Sequence, residues 1–103
     1  MSRRPGELAR LDASVRGRVQ GVGFRYFVTS RAMRSGLTGF VANEQDGSVH
    51  VVVEGPRMDL EALLEALHEG PASSIVERVD ENWLPYTGHW GTFGIESRGH
   101  RGD

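Results

Sequence analysis

The sequence predicts an α+β fold in which two helices lie on one face of an antiparallel or mixed sheet. Three observations carry that prediction. Several short stretches alternate apolar and polar residues with a period of two. Two longer stretches repeat apolar residues at helical spacing, and an Asp46-Gly47 pair joins two of the alternating runs.

Leu11, Ala13 and Val15 alternate with Asp12, Ser14 and Arg16, as a half-buried strand requires. Residues 17–23 break the pattern with Gly17, Gly21 and Gly23. Phe24, Phe27, Val28 and Ala32 then fall on one helical face with Met33 beside them, and Gly36 stands where a helix C-terminal glycine belongs. A second strand is expected over residues 38–43, followed by the Asp-Gly hairpin turn. Val49, Val51 and Val53 alternate with Ser48, His50 and Val52 to make a third strand. Gly55-Pro56 opens the next helix, since proline is tolerated where the backbone N–H has no helical partner. Leu60, Leu63, Leu64 and Leu67 form its apolar stripe, with Asp59, Glu61, Glu65 and Glu69 mostly off it, and Gly70-Pro71 ends it. Residues 75–84 read as a strand, and residues 92–97 as a short last one with Phe93 and Ile95 on one side. The order βαββαβ plus a short C-terminal strand is the ferredoxin-like split β-α-β sandwich. That fold hosts many unrelated functions and by itself selects none.

A length of 103 residues allows one domain, residues 1–103, with an ordered core over about 8–97 and tails at 1–7 and 98–103. No run approaches the roughly 18 apolar residues of a membrane span. The opening MSRRPGELARLD has no apolar stretch, so no secretory signal is expected. Zero cysteines exclude disulfides, thiolate metal sites and thiol nucleophiles, and together these features point to the cytoplasm. The net charge of −2 argues against a nucleic-acid binder. Its distribution is uneven: eight arginines face two acids up to Gly36, and four face twelve thereafter. All basic residues are arginine, which removes lysine Schiff bases and the Walker lysine and leaves planar forks suited to carboxylates and phosphates.

The stretch GRVQGVGFR, residues 17–25, joins the first strand to the first helix. Its glycines permit dihedrals that turn successive N–H groups inward, the helix start presents unpaired N–H groups, and Arg25 sits in the first turn. These are the parts of an anion receptor, although a plain strand-to-helix turn could carry the same residues. The G-x-x-x-G-x-G spacing matches neither dinucleotide nor NTP loops and favours a single phosphate.

GRVQGVGFR followed by GFVANEQDGSVHVVVEG, residues 39–55, resembles the two signature stretches of the acylphosphatase family, and the likeness runs over about residues 11–95. The resemblance implies a hydrolase of small acyl phosphates that needs no cofactor and releases inorganic phosphate. It implies that the phosphate is held by Arg25 and by the backbone amides of Gln20, Gly21, Val22, Gly23 and Phe24, with Asn43 orienting the attacking water. Phe40 stands where many members have tryptophan, and Ala42 where a basic residue is common. The chemistry suits this residue set: the carboxylate leaves readily, so phosphoryl transfer reduces to positioning and charge neutralisation.

Other residues read more plainly. Asn43 by itself resembles a turn residue, Arg18 a solvated charge, and the Gln20 side chain either a substrate contact or a brace for the loop. His50, His68, His89 and His100 lack ligand spacing, so no metal is expected. Trp83, Tyr86 and Trp90 read as packing residues, and the terminal Arg101-Gly102-Asp103 as a coincidence. No nucleic acid or membrane partner is expected, and the chain is expected to act as a monomer. The alternative is a non-catalytic ferredoxin-like module that binds a phosphorylated metabolite or another protein.

Overall fold

The computed structural model describes residues 6–97. The elements run β1 (Leu8–Arg18), α1 (Phe24–Arg34), β2 (Thr38–Asn43), β3 (Val49–Pro56), α2 (Arg57–Glu69), β4 (Ile75–Leu84) and β5 (Phe93–Ile95). They build a mixed five-stranded sheet in the order β4-β1-β3-β2-β5, with β5 parallel to β2 and the other neighbours antiparallel. This is the expected ferredoxin-like arrangement. Of the expected tails at 1–7 and 98–103, residues 1–5 and 98–103, and the Arg-Gly-Asp tripeptide with them, lie outside the described residues.

The period-two pattern decides which face meets the helices. Leu11, Ala13 and Val15 of β1 and Val49, Val51 and Val53 of β3 are fully buried under Phe24, Val28 and Ala32 of α1 and Leu60, Leu63 and Leu67 of α2. Full burial of a side chain such as Leu60 or Leu67 contributes about 2 kcal/mol apiece. Leu64 lies at the margin of that core, and Met33, off the α1 stripe, is exposed.

β1 and β3 run further than the pattern shows, whereas β5 spans only Phe93–Ile95 of the expected 92–97. β1 begins at Leu8 and continues through Arg18, past Gly17, where its pairing with β4 shifts register. β3 continues to Pro56, which caps α2 rather than lying inside its first turn.

The opposite face of the sheet is not left to solvent. Residues 85–92 carry the chain from β4 at one edge to β5 at the other. On the way Trp90 packs against Phe40, Ala42 and Val52, with the Arg10 guanidinium 5.1 Å from the centre of one of its rings. The Glu54 carboxylate, only 1% exposed, ties this crossing down: it accepts from Thr87 N–H at 2.9 Å, Thr87 Oγ1 at 2.7 Å and Gly88 N–H at 2.9 Å. Burial alone would raise its pKa, but these hydrogen bonds and the nearby Arg10 charge hold it below the ordinary value.

Candidate active site

The β1–α1 turn is built around two left-handed glycines, Gly21 at φ 74° and Gly23 at φ 80°. A side chain at either position would be strained, so the sequence concedes both to glycine. Gly23 is the N-cap of α1, and no side chain caps the helix. Its first turn carries no acid, and the whole of α1 contains Arg25, Arg31 and Arg34 and no carboxylate. The first N–H groups of the helix therefore keep their donors and their share of the positive dipole. The Phe24 ring anchors this start: it is 1% exposed and meets Phe27 edge-on at 5.8 Å.

The turn is tied from both sides. Ser73 Oγ donates to the Val22 carbonyl at 3.0 Å. The Gln20 amide donates to the carbonyls of Glu44 at 2.8 Å and Ser48 at 2.9 Å, which makes the side chain a brace to the β2–β3 hairpin. That hairpin is itself stiffened by Asp46, whose carboxylate accepts from the Ser48 hydroxyl at 2.7 Å and the Ser48 N–H at 3.0 Å. These bonds, with Arg16 beside them, lower the Asp46 pKa to about 2.

Asn43 is the last residue of β2 and pairs with Val49, so it belongs to the ladder rather than to the turn. It shares the helix-facing parity of Val41, which carries its side chain towards the start of α1. Asn43 is 6% exposed, and its Oδ1 is buried with no hydrogen-bond partner among the described residues. A buried amide oxygen without a donor is costly and uncommon, and is often the mark of a functional position.

These parts meet in one cavity of about 150 Å³, lined by Val19, Gly21, Gly23, Phe24, Arg25, Tyr26, Asn43 and Ile95. At about 30 Å³ per water, that is space for roughly five waters, enough for one phosphate-sized anion. Arg25 is half-buried at its edge and forms no ion pair among the described residues, whereas Arg16 is shared by Asp46 and Asp80 and Arg57 is held by Glu61. Of the residues singled out by sequence, Gly21, Gly23, Phe24, Arg25 and Asn43 line the cavity. Gln20 and Val22 belong to the same turn, but the Gln20 side chain goes to the hairpin and that of Val22 packs against the core.

Val19, Tyr26 and Ile95 also line the cavity and are not among the residues expected there. The place of Tyr26, beside Arg25 and off the apolar stripe, was available as a signal. Ile95 reaches the cavity only through the parallel pairing of β5 with β2, opposite Val41, which no local pattern announces. Among the described residues, no three His, Asp or Glu side chains are placed to hold a metal ion, and no helix is long and apolar enough to cross a membrane.

The fold and the cavity define a class: a ferredoxin-like α+β protein with a cavity where a strand enters a helix. The comparisons carry this further. The acylphosphatase family model matches residues 11–95. An acylphosphatase from Salinibacter ruber is 54% identical over 78 residues, covering 76% of this chain and 82% of its own. One from Thermobifida fusca is 50% identical over 93 residues, covering 89% and 99%. The crystal structure of acylphosphatase from Bacillus subtilis superposes with a TM-score of 0.82 at 36% identity, covering 85% of this chain and 98% of that one. The chain belongs to the acylphosphatase family and is a hydrolase of that family.

Proposed function

We propose that this chain hydrolyses the carboxyl–phosphate bond of small acyl phosphates, with the phosphoryl group held by Arg25 and the amides of Gln20, Gly21, Val22, Gly23 and Phe24. Asn43 orients the water. The water oxygen attacks phosphorus as the bond from phosphorus to the acyl oxygen breaks, and the carboxylate leaves with the electron pair. An asparagine cannot take the water proton at neutral pH, so a phosphoryl oxygen accepts it and the phosphate departs carrying both protons of the water. The acyl group leaves past the Tyr26 and Ile95 side chains, the exposed apolar members of the cavity wall.

One observation carries this reading: an arginine without an ion pair, an uncapped helix start and a buried amide oxygen without a partner, all among the described residues, converge on one cavity. Each supplies something phosphoryl transfer requires, namely charge neutralisation, oriented donors and a positioned nucleophile. No step calls for a metal or a cofactor. The enzyme acts as a cytoplasmic monomer on this reading, and sedimentation at assay concentration showing a dimer would correct the second point.

The experiment is hydrolysis of benzoyl phosphate by the purified chain, with and without a chelator. The expected result is turnover unchanged by chelation and competitive inhibition by inorganic phosphate. Phosphate binding without turnover would return the chain to a non-catalytic binding module.

A further inference from the structure

Gln20 stands in the phosphate turn, but its side chain leaves the cavity and reaches the β2–β3 hairpin. Its Nε2 donates to the Glu44 carbonyl at 2.8 Å and the Ser48 carbonyl at 2.9 Å. Both partners only accept, so chemistry dictates that the amide nitrogen faces them. The same two carbonyls close the hairpin: Glu44 O also accepts from Gly47 N–H at 3.1 Å, and Ser48 O from Glu44 N–H at 2.9 Å. Asn43 immediately precedes Glu44. A single amide group therefore joins the turn that precedes Arg25 to the hairpin that begins one residue beyond Asn43. The sheet offers no direct substitute, because β3 lies between β1 and β2.

We propose that the Gln20 side chain is a positioning residue that sets the phosphate turn against Asn43. It thereby controls turnover rather than phosphate affinity. The inference rests on the acylphosphatase reading above. Phosphate in the ground state touches Arg25 and the turn amides, all on the Gln20 side of this brace, and a side-chain substitution leaves the Gln20 backbone N–H in place. The water held by Asn43 is on the other side. A loosened brace leaves the anion bound and moves the nucleophile off line, and misplacement of about 1 Å can cost up to about 10²-fold in rate.

The test is a double-mutant cycle of Gln20→Met with Asn43→Ala, read as kcat and KM for benzoyl phosphate and Ki for inorganic phosphate. Methionine keeps the length and removes both donors. The two carbonyls keep their backbone donors, so no buried acceptor is orphaned and the variant is expected to fold, which a thermal melt checks. Gln20→Met should lower kcat about tenfold while phosphate Ki stays within about twofold. In the Asn43→Ala background it should cost less than about twofold further, because the group it positions is gone. An unchanged kcat in Gln20→Met, a loss carried by phosphate Ki, or the same factor in both backgrounds would overturn the assignment. Should Gln20→Met fail to fold, Gln20→Asn enters the cycle under the same criteria: it keeps the amide but is one methylene too short to bridge both carbonyls. A wild-type chain that binds phosphate and never turns over would instead overturn the hydrolase reading, and this assignment with it.

Discussion

The two helices of this molecule begin in opposite ways. α1 starts from a left-handed glycine with no side-chain cap, no acid in its first turn and an Arg25 that forms no ion pair among the described residues. α2 starts from the extended Pro56 at the other end of the sheet, with Asp59 in its first turn and the Arg57 N–H donating to the Glu7 carbonyl at 2.7 Å. The Arg57 guanidinium is also occupied, by Glu61 at 3.0 Å and a Trp83 ring at 3.6 Å. Both helices present the positive end of a dipole. The chain satisfies one with its own groups and leaves the other facing a cavity. The buried polar side chains repeat the contrast: Glu54 receives three hydrogen bonds, while the Asn43 Oδ1 has no partner among the described residues. On the proposed reading, phosphate binds where the fold withholds its own partners.

The comparison can be broken first at Arg25. Arg25→Ala should reduce turnover of benzoyl phosphate about 10³-fold and weaken phosphate inhibition, because no other cation lines the cavity among the described residues. Asn43→Ala should lower kcat about 10²-fold with phosphate Ki nearly unchanged, since it removes a group used in the transition state alone. Its melting temperature should barely move, because it removes an unsatisfied group.

Glu54→Gln should do the reverse, costing about 1–3 kcal/mol in chemical denaturation at pH 7 with kcat unaltered. The sign of its pH dependence follows from the depressed folded-state pKa of Glu54: below its ordinary value of 4.5 the unfolded chain takes up the proton first. The stability it supplies is therefore complete above that value and lost as pH falls, so the gap between wild type and Glu54→Gln should narrow in acid. Asp46, with its ordinary 3.8 lowered to about 2, adds a second loss between those values, one that Glu54→Gln leaves in place.

Smaller effects sharpen the contrast between the helix starts. Tyr26→Glu puts into α1 the acid that α2 already has, and should weaken phosphate inhibition about tenfold through repulsion at the cradle. Asp59→Ala takes that acid from α2, and should cost about 0.5 kcal/mol of stability with no change in turnover.

Much of this was legible in the sequence, for local reasons. β2 and β4 run over the residues expected because alternation and turn residues bound them, and α1 starts where Gly23 marks it. The two halves of the cavity, Arg25 and Asn43, were visible through the two signature stretches rather than through periodicity. What escaped depends on distant pairing. Val52 reads as an exposed alternating position, yet it is 1% exposed, since residues 85–92 cover it and carry no periodic pattern of their own. The continuation of β1 past Gly17 rests on β4, and the Gln20 brace on carbonyls 24 and 28 residues away.

On the proposed function, the start of α1, and not that of α2, is the phosphate site. Titrating inorganic phosphate into the ¹⁵N-labelled chain and following backbone amide shifts tests it most directly. Saturable shifts are expected at Gly21, Gly23, Phe24, Arg25 and Asn43, with Met58, Asp59 and Leu60 unmoved. Shifts of equal size at both helix starts, or none in the β1–α1 turn, would contradict it.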